Sequence, residues 1–307
     1  MANDRPLATS KPLAFVTGAS SGIGQALALA LRARGHRLAL VARRGPALSD
    51  WVASQGWSRD DARVYAADVS ELDSIVAAGQ ACVAAQGVPD VVIANAGISV
   101  GVATEDREDL DVFRDTLETN LLGLVATFHP FVAAMRARGS GRLVGIASVA
   151  GIRGLPGHGA YCASKSGVIA YCESLRGELR GTGVRVVTIV PGYIDTPLTR
   201  GNPYPMPFLM LAEAFAERTV RAIEAGDAYR TIPWQMGAVA ALLRVLPIPL
   251  FDRAVAGRGR KPRKRKPTEA LPFDEPAAGV LPGKEKAAGS LPPSSSKPGS
   301  TGPRGDQ

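Results

Sequence analysis

The sequence predicts an α/β fold: a doubly wound parallel sheet of about seven strands, sandwiched between helices in a single domain. Two observations carry that expectation. Short, nearly uninterrupted apolar runs alternate with helical patterns, and polar or glycine-rich groups recur just after those runs. Strands covered on both faces lose the in/out alternation of a half-buried sheet, so continuous Val, Ile, Leu and Ala mark a parallel sheet.

Taken in order, "LAFVT" at 13–17 is the first strand, and it runs into the turn "TGASSGIG" at 17–24. "GIGQALALALRAR" then forms a helix closing at Gly35. "RLALVAR", "ARVYAADV" and "PDVVIANAG" give strands two to four, with a helix over "ELDSIVAAGQACVAAQ" at 71–86. A long helix over about 107–138 leads to the strand "GRLVGIAS", and another helix covers about 159–180. "VRVVTIVPG" is the sixth strand and "YRTIP" a short seventh. Ligands of such sheets bind beyond the carboxyl ends of the strands. Gly18, Asp68, Asn95, Ser148 and Pro191 each follow a strand.

Residues 1–11 read as an extension, 12–233 as the globular unit with a lid over about 198–217, 234–256 as an apolar helical segment, and 257–307 as a tail. With 307 residues, 46% of them hydrophobic, the chain can bury a sizeable core. The tail is rich in Pro, Gly, Ser and charge, with almost no aromatic or β-branched residues, and is expected to be disordered. It holds 11 Lys/Arg against 5 Asp/Glu, so most of the chain's net charge of +8 lies there. Cys82, Cys162 and Cys172 are scattered and odd in number, which argues against a disulfide framework and fits a reducing, cytoplasmic setting. The first twelve residues show no apolar core of a secretory signal, and no stretch reaches the roughly 18 apolar residues of a spanning helix.

The glycines Gly18, Gly22 and Gly24 permit a tight turn and close approach of backbone to a diphosphate at a helix N-terminus. A plain strand-to-helix reversal would use the same residues, so the second strand is needed to decide. Where an NAD-binding fold places an acid for the ribose 2′-hydroxyl, this strand ends "VARR". Ala42 takes the acidic position, and Arg43, assisted by Arg44, suits a 2′-phosphate. NADP(H) is therefore expected over NAD(H); two solvated arginines are the plainer alternative. Asp68, with Val69 beside it, could bond an adenine amino group, and Asn95, Ala96 and Gly97 bring the fourth strand's end close to a cofactor. Each of these also fits simple turn chemistry.

Tyr161 and Lys165 stand at i and i+4 and share one helix face. A tyrosine, pKa about 10, exchanges protons poorly near neutrality, and a neighbouring ammonium favours its phenolate. Ser148 ends a strand and is joined to Tyr161 by a glycine-rich loop, so both hydroxyls could meet one carbonyl oxygen. Cys162 faces away from the Tyr–Lys side. Asn120 is a polar residue among apolar neighbours, open to a functional reading or to that of a satisfied buried amide.

Over residues 12 to about 235 the sequence resembles the short-chain dehydrogenase/reductase family, whose fold is Rossmann-like. The resemblance rests on "TGASSGIG", "ADV", "ANAG", "ETNLLG", "IAS", "YCASK" and "PGYIDTP", in the family's order. Ala94 stands where many members carry a second asparagine. The resemblance implies that Tyr161 is the general acid in carbonyl reduction and the base in alcohol oxidation. Lys165 would lower its pKa and bond the nicotinamide ribose, Ser148 would polarise the substrate oxygen, and Asn120 would hold a water of a proton relay. Thr17, Gly18, Ser20, Ser21, Gly22, Ile23 and Gly24 would form the nucleotide turn. Pro191, Gly192, Ile194 and Thr196 would line the nicotinamide pocket, and a homodimer or homotetramer is a family expectation.

After "PGYIDTP", Pro203, Pro205 and Pro207 suggest a lid. Phe208, Leu209, Met210 and Leu211 offer either an apolar surface for a lipid-like ketone or ordinary core. The segment from Pro233 to Gly257 is strongly apolar, with Trp234 at one end, Arg244 inside and Pro247 and Pro249 breaking it, beside the basic run "RGRKPRKRK". It fits a helix packed on the domain or on a second subunit, or one lying peripherally on the inner face of an anionic membrane. The basic run alone predicts no specific nucleic-acid contact. Two functions remain: an NADP(H)-dependent reductase of a small-molecule carbonyl, or the reverse oxidation; and a non-catalytic dinucleotide-binding scaffold or redox-sensing module. A pure binding module has no need of Asn120, Ser148, Tyr161 and Lys165 together.

Overall fold

The computed structural model describes residues 11–257 and 259–263. Seven parallel strands form one sheet: β1 (Leu13–Thr17), β2 (Arg37–Ala42), β3 (Ala62–Ala66), β4 (Val91–Ala94), β5 (Gly141–Ile146), β6 (Val184–Pro191) and β9 (Tyr229–Ile232). Their order is β3–β2–β1–β4–β5–β6–β9, so the chain leaves one edge after β3 and returns beside β1. Ala14 stands opposite both Leu38 of β2 and Val91 of β4, and the crevice of a doubly wound sheet opens at that switch. A two-residue pairing of β7 (Ile194–Asp195) with β8 (Met210–Leu211) forms outside the main sheet.

The side-chain alternation of β1 divides the core in two. Ala14 and Val16 pack with α1 (Gly22–Ala33), α2 (Gly45–Ser54) and α7 (Ala212–Ala225), through Leu27, Leu31, Leu48 and Phe215. Leu13 and Phe15 pack with α3 (Leu72–Gln86), α5 (Gly123–Arg138) and α6 (Gly159–Glu178), through Ile75, Phe128, Phe131 and Val168. The rings of Phe15 and Phe131 lie 4.9 Å apart. On the other layer Arg34 ties α1 to α7 through Glu217 at 2.8 Å and Glu224 at 3.1 Å.

Three sequence expectations are corrected, and the break expected at the prolines of 234–256 is present. The long helix over 107–138 is α4 (Asp109–Leu117) and α5 joined by a π turn at Glu118–Leu122. Such a turn inserts one residue into the helical ladder, and here it buries Asn120. The lid ends before 217, because Ala212, Phe215 and Ala216 are already core residues of α7. The segment 234–256 is two helices, α8 (Trp234–Val245) and α9 (Ile248–Val255), broken at Pro247, which has no amide hydrogen to continue the first. Finally, residues 259–263, assigned to the tail, lie along the body, with Pro262 accepting a backbone bond from Gly101 at 3.0 Å. The expectations for residues 1–10, 258 and 264–307 fall outside the described residues.

Within α8 and α9 only Met236, Ala240, Phe251 and Val255 are buried, while Leu242, Val245, Ile248 and Leu250 face outward. Among the described residues no helix is long and apolar enough to cross a membrane.

Candidate active site

The turn after β1 is shaped by glycine. Gly18 has φ +68°, and a Cβ there would lie 2.8 Å from Ala96 Cα. Gly24 packs directly on the Gly18 carbonyl, leaving no room for a side chain. At the start of α1 Ser21 makes no side-chain capping bond and the first turn carries no acid, an arrangement suited to an anion. These features open onto a cavity of about 500 Å³ at the carboxyl edge of the sheet.

Gly18, Ser20, Ser21, Gly22 and Ile23 line one end of it. The ends of β2 and β3 add Arg43, Arg44, Asp68 and Val69, and the end of β4 adds Asn95, Ala96 and Gly97. Ser148, Tyr161 and Lys165 line the other end with Pro191, Gly192, Ile194 and Thr196. Three expected site residues stand behind this wall. Thr17 is buried, its Oγ1 accepting the amides of Asn95 at 3.1 Å and Ala96 at 3.2 Å. Gly24 fills space in the turn. Asn120 accepts from the Ile98 amide at 2.7 Å and donates to Ile98 O at 2.9 Å and Ser164 Oγ at 3.0 Å, so its carboxamide is engaged by the protein.

Arg43 is largely exposed, its Nη1 3.5 Å from Asp68 Oδ2. Asp68 Oδ1 accepts from the Ser70 amide at 3.0 Å and hydroxyl at 2.7 Å. Burial raises the Asp68 pKa, but the Ser70 bonds and Arg43 outweigh that and hold it below the ordinary carboxylate value. Oδ1 thus serves the turn, while Oδ2 has, among the described residues, only the 3.5 Å contact with Arg43, and Asp68 lines the cavity.

Ser148 stands two residues past β5, and its Oγ accepts from the Ala150 amide at 3.2 Å, capping the turn Val149–Gly151. That hydroxyl is also near enough to Tyr161 to favour its phenolate. Lys165 is 4% exposed, and its Nζ donates to Ile146 O at 2.8 Å while lying 5.8 Å from the centre of the Tyr161 ring. Burial lowers Lys165 to about 8. Tyr161 moves the other way: burial raises it, and Ser148 only partly offsets this. Lys165 is not among the influences on Tyr161 in this geometry, where its ammonium is bonded to Ile146 O and burial dominates. Cys162 is buried, its thiol pushed up by burial, and it lines neither cavity described here.

A second cavity, about 570 Å³, adjoins the first and shares Ser148, Tyr161, Gly192, Leu198 and Thr199 with it. Its walls are mostly apolar, including Val149, Ile152, Leu155, Met236 and Leu243, and among the described residues no carboxylate lines it. His158 lies 3.0 Å from the Tyr204 hydroxyl through Nε2, and burial lowers its pKa. The Arg153 guanidinium sits 3.9 Å above the Phe251 ring. Sequence reasoning passed over His158, Tyr204, Arg153 and Lys261, which line this cavity. Only His158, three residues before Tyr161, carried a positional signal.

A crevice of this build, with a glycine turn on one side and hydroxyls and a lysine on the other, is the architecture of dinucleotide-binding oxidoreductases. The chain belongs to the short-chain dehydrogenase family, whose pattern residues 12–204 match. It is therefore an oxidoreductase of a family that acts on CH–OH or C=O groups with a nicotinamide dinucleotide. A Myxococcus xanthus protein described as an uncharacterized oxidoreductase is 42% identical over 244 residues, covering 78% of this chain and 95% of that protein. A 2-dehydro-3-deoxy-L-rhamnonate dehydrogenase (NAD(+)) of Sphingomonas is 37% identical over 185 residues, covering 60% and 73%. The solved short-chain dehydrogenase from Streptomyces avermitilis shares the fold, with TM-score 0.64 at 24% identity over 75% of this chain and 92% of that one.

Because the folded pKa of Lys165 lies below its unfolded value, the folded state is penalised wherever Lys165 is charged. That penalty is complete below about pH 8 and fades as pH rises toward the unfolded value of 10.5. Lys165→Met removes it. Its stability relative to wild type, read from urea midpoints at pH 7, 8, 9 and 10, should be highest at pH 7 and decline steadily above pH 8. A difference that stays flat with pH would contradict a buried ammonium.

Proposed function

We propose that the protein is an NADP(H)-dependent oxidoreductase reducing an apolar or lipid-like ketone or aldehyde, or catalysing the reverse oxidation. The observation carrying this reading is the position of Ser148 and Tyr161 on the wall common to both cavities, one fitted to a dinucleotide and the other mostly apolar. A carbonyl oxygen there would accept hydrogen bonds from both hydroxyls. The dinucleotide supplies the hydride to the carbonyl carbon when bound, and the protein supplies position and the proton. Tyr161 donates its hydroxyl proton to the carbonyl oxygen, and Ser148 holds that oxygen in place. Lys165, close to ionisation balance at about 8, passes a proton to the phenolate and takes one back from water in the cavity. Asn120 acts by fixing Ile98 and Ser164 around Lys165.

The preference for NADP(H) rests on Arg43 and Arg44 in the cavity wall and on buried Ala42 where an acid would bind a ribose hydroxyl. Family membership alone does not decide it, since the Sphingomonas relative is named for NAD(+). Association into a homodimer or homotetramer is the expectation that family membership carries. The outward apolar residues of α8 and α9, flanked by exposed Arg244 and Arg253, favour peripheral contact with an anionic membrane.

Tyr161→Phe should lower NADPH oxidation with a panel of long-chain and cyclic ketones by about 10²- to 10⁴-fold while NADPH binding, followed by its fluorescence, is kept. Wild-type turnover in that variant would refute the assignment, and an inert wild type across the panel would favour the binding-module alternative. Arg43→Asp should shift the ratio of kcat/KM for NADPH over NADH by at least about tenfold toward NADH; an unchanged ratio would remove Arg43 from cofactor choice. In flotation with phosphatidylserine vesicles, the full chain should rise with the lipid and Leu242→Glu/Ile248→Glu should not. Equal flotation of the two would exclude α8 and α9 as the contact.

A further inference from the structure

The apolar cavity is walled in part by Gly257, Gly259 and Lys261, from a segment whose composition marks it as tail. Two sets of contacts hold that segment, one to the residues before and at the start of α4 and the other to the lid. On one side Arg263 pairs with Asp106 and, through Nε at 2.7 Å, with Asp109. Asp109 is 4% exposed and also accepts the Ala103 amide at 2.7 Å, so its carboxylate is rigidly set. The Gly101 amide donates to Pro262 O at 3.0 Å, and a side chain at Gly101 would strike the Lys261 carbonyl. On the other side the Lys261 ammonium donates to Leu198 O at 3.0 Å and to Asn202 Oδ1 at 2.8 Å, both in the lid. Arg260 meanwhile packs against Gly157, next to His158.

We propose that Gly259–Arg263 is a strap that closes the outer mouth of this cavity and so controls access to Tyr161. It joins the loop before α4 to the lid, two segments not linked by the sheet. Because Arg263 is partly exposed, its pairs alone would hold weakly, and the strap depends on both attachments acting together. The proposal rests on the reading of this cavity as the substrate site, but its first test does not.

His158 is 7% exposed and lines the cavity, whereas His129 is exposed on α5. In the full chain, diethylpyrocarbonate should modify His158 at least roughly fivefold faster in Lys261→Ala/Arg263→Ala than in wild type, with His129 unchanged, as read by peptide mass spectrometry. Arg263→Lys, which keeps the charge, should stay close to wild type. Equal His158 rates in wild type and the double variant would overturn the strap, and a parallel rise at His129 would show general loosening and overturn it too. With NADPH and 2-alkanones from butanone to dodecanone, the double variant should change discrimination between short and long ketones by about tenfold. Unchanged discrimination would overturn control of access. If wild type reduced none of these ketones while His158 responded as expected, the substrate reading would fail and the closure would stand.

Discussion

The ammonium of Lys165, taken out of water at the carboxyl edge of the sheet, is the feature around which the rest of the site is fixed. Its Nζ has Ile146 O as an acceptor at 2.8 Å, a neutral partner that stabilises a buried cation only in part. Neighbouring segments approach closely as a result. Gly151 must lack a side chain, since a Cβ there would lie 2.6 Å from the Lys165 carbonyl carbon. At Gly97 a Cβ would stand 3.5 Å from Nζ and 3.1 Å from Asn120 Oδ1. Asn120 then clamps Ser164, the residue before the lysine, to the backbone at Ile98. Tyr161 is carried by the same helix, one turn earlier, and inherits its position from this anchoring.

A second set of bonds joins that anchored region to the nucleotide turn. Thr17 Oγ1 holds the Asn95 and Ala96 amides, while Asn95 Nδ2 donates to Thr17 O at 2.9 Å. The ends of β1 and β4, adjacent where the strand order reverses, are thereby stitched together. The glycine turn on one strand and Gly97 on the other cannot move independently. A dinucleotide lying across the switch would meet a surface already assembled, which reduces the cost of ordering it on binding.

Much of this was legible in the residues. The apolar runs located all seven strands of the main sheet, and the i, i+4 spacing put Tyr161 and Lys165 on one helix face. Asn120 stood out only as a polar residue among apolar ones. A π turn and its two backbone bonds explain it, and neither has a period that a sequence pattern displays. The lid's end was misjudged because Phe215, apolar on a helix beyond a proline-rich run, reads equally as lid surface or core until α7 is seen against α1. The direction of the Tyr161 shift also escaped spacing, since it depends on how much water the fold removes.

By itself, then, the sequence determined the alternation of strands and helices, the glycine turn, and the identity of the hydroxyls and lysine that face one another. Those follow from local periodicity and from backbone conformations that few residues permit. Only the tertiary structure decided that Thr17, Gly24 and Asn120 stand behind the cavity wall. It likewise decided that a second, mostly apolar cavity meets the first at Ser148 and Tyr161, that Lys261 lines it, and that Lys261 and Arg263 pair with Asn202 and Asp109 respectively. Contacts between residues far apart in the chain depend on packing, and composition marks Gly259–Arg263 as tail until Asp109, Leu198 and Asn202 are seen to meet it.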